Sequence, residues 1–239
     1  MILPMNGHSV AAVYGHNQLH LANILSVVPV TSPISHNSKE IEQKYLFSKN
    51  RADCQKIYQA REFQAAGVVG RKDGRPFHGV DYYFTAITKD RQYFAFRYRT
   101  GLTGVKSRVG LKVKNLRKRS IVRDEFEFDL KPGVDERRVC DFLRIVASTI
   151  NGGIRETPIR VEGQIRYAPL ALGGDQKIEV VVFTGTNLVT DKMVCVGEIE
   201  AHGFLNETAA KLAISQYEDK LQWRQFRTNK SMSQLLESR

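Results

Sequence analysis

Glu40, Glu42 and Lys44 stand at alternate positions in Glu40-Ile41-Glu42-Gln43-Lys44-Tyr45-Leu46-Phe47, so in a strand they share one face. Ile41 and Tyr45 take the opposite face, with Gln43 as its one polar interruption. Two carboxylates beside an ammonium make an odd solvent face but a good face for a hard divalent cation and a phosphate. The alternation returns as Arg97/Arg99, Lys112/Lys114, Arg123/Glu125/Glu127 and Glu198/Glu200. One such pair would say little. The series predicts a surface on which like charges are gathered strand after strand.

Strands must hold these residues, and the chain supplies them. A first strand is expected at 39–47, then a helix over 52–66 ended by Gly67, and a loop over Gly70–Pro76. Runs rich in aromatic and β-branched residues follow at 80–87, 92–99, 108–115 and 121–130, separated by turn residues such as Gly101-Leu102-Thr103-Gly104. Val139, Phe142, Leu143, Val146 and Ile150 keep a helical period over 135–149, and Asn151-Gly152-Gly153 ends it. Three more strands are expected at 155–167, 176–184 and 192–201, with Gly173-Gly174-Asp175 as a hairpin turn. A helix from Asn206 to about Trp223 and a short one near 231–236 close the chain. The order resembles two halves, each a sheet followed by a helix. It predicts an α+β fold with a large antiparallel sheet that could close into a barrel.

Each strand sorts its residues. Phe94, Phe96 and Tyr98 alternate with Arg97 and Arg99; Phe126 and Phe128 alternate with Glu125 and Glu127. Val194, Val196 and Ile199 accompany Glu198 and Glu200, which suggests a register slip at Gly197. A half-buried sheet with one wet face would alternate in the same way. A wet face, however, usually mixes its charges with Thr, Ser and Gln, and like charges side by side destabilise. Closure with this face inside would place phosphates beside the bases and divalent cations beside the acids.

Composition narrows the rest. The 239 residues are 42% hydrophobic, enough to bury a core, and carry a formal charge of +11. Eleven bases and no acid lie between Arg91 and Arg123, a footprint for a polyanion. No apolar run spans a bilayer, so no membrane partner is expected. Residues 1–37 read as an extension of different composition, and 38–239 as the folded domain; His16 and His20 in the extension lack acidic or cysteine neighbours that would make a metal site. Neither a secretory signal nor a transit peptide is expected. Cys54, Cys140 and Cys195 are odd in number and scattered, which speaks for a reducing, cytoplasmic setting and against a disulfide framework or zinc site. His78 and His202 read as surface residues beside loops. A Walker loop is absent, and no Ser/His/Asp or Cys/His arrangement stands out.

Taken together the motifs resemble the CYTH family, also called the triphosphate tunnel metalloenzymes. Glu40, Glu42 and Lys44 match its Glu-x-Glu-x-Lys signature. Asp81-Tyr82-Tyr83-Phe84, Phe96-Arg97-Tyr98-Arg99, Leu111-Lys112-Val113-Lys114 and Arg123-x-Glu125-x-Glu127 follow in the family's order. Glu179, Phe183 and Gly185 sit where it has Glu-x-Asp-x-Phe-x-Gly, and Gly197-Glu198-Ile199-Glu200 is similar to its closing strand. Lys230 to Leu236 resembles its Ser-Tyr-x-x-Leu-Leu tail. Two positions depart: Val181 stands for the usual Asp, and Gln164, before Arg166-Tyr167, for the usual Lys, unless Arg160 substitutes.

The resemblance implies an eight-stranded antiparallel barrel with helices outside and a triphosphate held within. It implies Glu40, Glu42 and Lys44 as catalytic residues, and Glu40, Glu42, Glu125, Glu127, Glu198 and Glu200 as ligands of Mg²⁺ or Mn²⁺. Lys44, Arg97, Arg99, Lys112, Lys114, Arg123 and Arg166 would hold phosphate oxygens. Expected partners are a triphosphate-containing small molecule or an RNA 5′ end, with the protein a monomer or homodimer. The implied activity is metal-dependent removal of a terminal phosphate from inorganic tripolyphosphate, a nucleoside triphosphate or thiamine triphosphate. Cyclisation of ATP to cAMP, or triphosphate binding with weak catalysis, are the alternatives within the resemblance.

Overall fold

The computed structural model describes residues 37–65, 77–100, 107–115, 122–131, 133–150, 154–169, 176–204 and 206–237. The N-terminal extension, the Gly70–Pro76 loop, the Gly101–Gly104 and Gly173–Asp175 turns and the Arg117-Lys118-Arg119 run lie outside those residues.

Among the described residues, nine strands carry the architecture: β1 (Asn37–Ser48), β2 (Phe77–Ile87), β3 (Gln92–Arg99), β4 (Arg108–Asn115), β5 (Val122–Asp129), β6 (Arg155–Pro169), β7 (Lys177–Asn187), β8 (Met193–His202) and the two-residue β9 (Arg227–Thr228). The helices are α1 (Arg51–Gln59), α2 (Arg61–Ala65), α3 (Glu136–Ser148), α4 (Glu207–Leu221) and α5 (Met232–Glu237). All strand pairings are antiparallel, in the order β5-β4-β3-β2-β6-β7-β8-β1-β9. A further β5–β1 pairing closes β1 to β8 into a ring. β1 makes closure work. One of its edges runs along β8, while the other pairs first with β5 and then, at Lys44 and Tyr45, with β9. No long stretch of that edge is left to pair with another chain.

The expected helix over 52–66 is two helices, because Ala60 breaks it with an extended backbone (φ −59°, ψ 132°). After the break, Phe63 is buried and stacks against Trp223 at 6.3 Å. No Gly or Pro marks that point in the sequence.

The expected slip at Gly197 does not occur. β7 and β8 pair in continuous register from Lys177/His202 to Thr186/Met193, so Val194, Val196, Glu198 and Glu200 form one row. Gly197 belongs to the other row for a packing reason: a Cβ there would lie 2.6 Å from the Phe47 ring and 2.9 Å from that of Trp223. The irregularity that does occur is in β1, between Leu46 and Ser48.

Three apolar clusters follow from the alternation. Outside the ring, Ile41, Tyr45, Val180, Val182 and Ile199 pack under α1, α2 and α4. Phe84, Phe96, Tyr98, Val109 and Phe128 pack under α3. A third cluster lies on the inner rows: Val181, Phe183, Val194, Val196, Ile159 and Val161 meet Met232, Leu235 and Leu236 of α5. The barrel interior is therefore apolar at the α5 end and charged along the remainder.

A correction concerns the cysteines. Cys54 of α1 and Cys195 of β8 form a disulfide across 141 residues, with Cα atoms 5.4 Å apart. The scattered spacing hid a pairing that only the packing of α1 on β8 creates, and it removes the ground on which a reducing compartment was expected. Cys140 is free and buried, and burial, with Glu136 nearby, pushes its thiol up to about 12.

Candidate active site

The inner rows bring the charged residues together. β1 contributes Glu42 and Lys44, β8 Glu198 and Glu200, and β7 Glu179; these strands are neighbours in the ring. β3 contributes Arg97 and Arg99, and β4 contributes Arg108 and Lys112. In a ring of eight, β8 and β3 are four strands apart in either direction, so an acid wall faces a basic one.

Glu42 is fully buried and Lys44 is 7% exposed. Lys44 Nζ lies against the carboxylates of both Glu42 and Glu198. Lys112 Nζ bridges from Glu125 Oε1 at 3.2 Å to Glu42 Oε2 at 3.6 Å, joining the two walls. Arg97 is paired with Glu127 and lies 3.9 Å from Glu125. Arg108 reaches Glu127 and Asp129, each at 3.0 Å. Arg99 forks onto Asp81 at 2.7 and 2.8 Å, and the Tyr83 hydroxyl donates to the same carboxylate at 3.3 Å.

The two walls differ in protonation for visible reasons. Burial works to raise the Glu127 carboxyl, but Arg97, Lys112 and Arg108 outweigh it and hold it at about 2. Asp81, fully buried, is likewise lowered by Arg99 against the effect of its burial. On the acid wall the balance reverses. Burial raises Glu200 to about 7, Glu179, Glu42 and Glu198 add to the rise, and His202 opposes it. A carboxyl buried beside three other acids holds a proton, or a cation in its place.

A cation fits there. Carboxylate oxygens of Glu42, Glu198 and Glu200 lie within 4.8 Å of one another, an all-oxygen set suited to Mg²⁺ or Mn²⁺.

The other expected residues are placed by strand register or by their own contacts. Glu40 is paired in register with Arg123, two residues along β1 from Glu42. Lys114 Nζ donates to the Asn229 carbonyl at 3.1 Å. Arg166 is paired with Val180, a residue of the outer core, while its neighbour Tyr167 is paired with Glu179. Val181 lies in the inner apolar cluster with α5, which accounts for an aliphatic residue where the resemblance has Asp. His202, expected at the surface, keeps its side chain 38% exposed while its Nε2 is buried between Glu179 and Glu200. The row Glu198-x-Glu200-x-His202 was the signal for it.

The chain shares its fold with a solved protein of Pyrococcus horikoshii, PH1012, at a TM-score of 0.53 and 18% identity, over 83% of this chain and 99% of that one. Two further solved structures align less closely. One is a provisionally assigned adenylate cyclase of Bacillus halodurans, with a TM-score of 0.44, 12% identity, and 83% and 97% of the two chains covered. The other is the Mimivirus capping enzyme triphosphatase, with a TM-score of 0.39, 8% identity, and 88% and 97% covered. No protein-family model and no curated protein matches the sequence. The antiparallel α+β barrel is the fold that the resemblance to the triphosphate tunnel metalloenzymes implies. Among the described residues no helix is long and apolar enough to cross a membrane.

Proposed function

We propose that the chain is a triphosphate tunnel metalloenzyme that hydrolyses the terminal phosphate of a triphosphate-containing substrate. One observation carries this reading: an acid wall on β1 and β8 faces a basic wall on β3 and β4 inside a closed barrel. A chain of phosphates with its divalent cation needs both walls at once.

Glu42, Glu198 and Glu200, with Glu40 beside them on β1, would hold Mg²⁺ or Mn²⁺. Such an ion, when bound, neutralises phosphate charge and acidifies a bound water. Arg97 and Arg99 would grip phosphate oxygens through their planar forks, and Lys112 and Lys44 as point charges. Glu125, Glu127 and Asp81 hold those bases in place, so the ligand meets an arranged surface rather than one that must reorganise. Lys44, clamped between Glu42 and Glu198, occupies the position from which an entering phosphate would draw it. The apolar α5 end limits how deep a substrate could reach.

Phosphate release tests the reading, using tripolyphosphate, ATP, thiamine triphosphate and 5′-triphosphate RNA with Mg²⁺ or Mn²⁺. Release from one of them that stops on chelation is the expected result and names the substrate. Formation of cAMP instead would make the protein a cyclase. Tight binding without turnover would make it a binding module.

A further inference from the structure

The inner row of β8 continues past Glu200 to His202. The Nε2 atom of His202 lies 3.4 Å from Glu200 Oε2 and 3.6 Å from Glu179 Oε2. It is buried, yet it makes no hydrogen bond. Those separations exceed the usual N–H···O length of about 2.9–3.0 Å. They match another geometry better. Two ligand atoms each about 2.1 Å from one ion, at right-angled to tetrahedral spacing, stand roughly 3–3.5 Å apart. One ligand atom from each of Glu179, Glu200 and His202 falls within a 4.8 Å cluster.

We propose that Glu179, Glu200 and His202 form a second metal site, which shares Glu200 with the site of Glu42 and Glu198 and takes a transition-metal ion of the Mn²⁺ class in preference to Mg²⁺. The inference rests on the tunnel reading for its first site. The donor chemistry sets the preference: an imidazole nitrogen suits Mn²⁺, Zn²⁺ and their neighbours, whereas Mg²⁺ keeps to oxygen and water. Glu200, approached by both clusters, would bridge the two ions. The site would set metal selectivity apart from the carboxylates that bind the first ion.

The competing arrangement is a protonated His202 held between two carboxylates with no metal. Pulsed electron paramagnetic resonance on the Mn²⁺-loaded full chain separates the two, because an imidazole ligand imprints a nitrogen coupling on the ion. The wild type is expected to bind two Mn²⁺ and show that coupling. His202→Asn is expected to bind one Mn²⁺ without it, and Glu42→Gln to keep the coupling while losing the other ion. Excess Mg²⁺ should leave the nitrogen-coupled ion in place. Mn²⁺ bound by the wild type without nitrogen coupling overturns the second site while the tunnel reading stands, and this readout needs no variant to fold. Coupling that persists in His202→Asn overturns it equally. A wild type that binds no Mn²⁺ at all overturns the second site and the tunnel reading together.

Discussion

Glu200 shows how a single residue reports on the whole cavity. Its carboxyl is raised to about 7 by burial and by three neighbouring acids, and His202 beside it is raised in turn by the Glu200 carboxylate. The sign of the consequence follows directly. A carboxyl with an ordinary value near 4.5 loses its proton on unfolding in the range where the folded protein still holds it, so this contribution to stability is present at low pH and disappears as the pH rises from about 4.5 to 7. A histidine raised on folding changes in the same direction, losing its contribution as the pH climbs through its folded value. Without metal, the melting temperature should therefore fall by on the order of 5 °C between pH 5.5 and 8. With Mn²⁺ present the fall should vanish or reverse, because the ion takes the proton's place. Thermal melts across that range with and without Mn²⁺ check this, and a metal-free curve that rises with pH would refute it. Glu127 behaves oppositely: held at about 2, it stabilises above about 4.5 and ceases to do so as the pH falls through 2.

At the scale of elements, the disulfide and α5 carry the predictions. Cys54 and Cys195 tether α1 to β8 through a long loop, so Cys54→Ser should cost about 2–5 kcal/mol, read as the drop in denaturant midpoint, and a thiol reductant should cause a similar loss in the wild type. Equal midpoints with and without reductant would show that the tether contributes nothing. α5 is held by hydrogen bonds between the Tyr93 hydroxyl and those of Ser231 and Ser233, at 3.0 and 2.9 Å, and by its apolar side chains. Leu236→Ala, at a residue only 1% exposed, should destabilise by about 2–4 kcal/mol in the same measurement. Most of the elements were legible because alternation and turn residues mark strands plainly; β3 and β4 fall at 92–99 and 108–115 as expected. The signal failed where a distant partner decides. Ala60 breaks a helix so that Phe63 can reach Trp223. Cys54 meets Cys195 only because α1 lies on β8. Val194 and Val196 looked like a change of face because the row itself turns from apolar to charged where α5 ends. The opposed walls could be anticipated from the charges, and the alternate spacing of Glu198, Glu200 and His202 carried a signal for His202, but no spacing in the sequence revealed that Arg166 is paired with Val180.

For the molecule as a whole, Arg97, Arg99, Arg108 and Lys112 bring part of the positive charge between Arg91 and Arg123 into the barrel. If the remaining bases also gripped an RNA chain, affinity for 5′-triphosphate RNA would fall with salt far more steeply than affinity for tripolyphosphate. A triphosphate-only site predicts similar slopes for both, and paired titrations at several salt concentrations distinguish them. Whichever substrate they take, the opposed walls are proposed to form a metal-dependent triphosphate site. Phosphate release from tripolyphosphate with Mn²⁺, in the wild type and in Glu42→Gln, tests it most directly. The account predicts turnover that chelation abolishes and that Glu42→Gln lowers at least about 100-fold while the fold persists by circular dichroism. Turnover unaffected by chelation, or undiminished in Glu42→Gln, would contradict it.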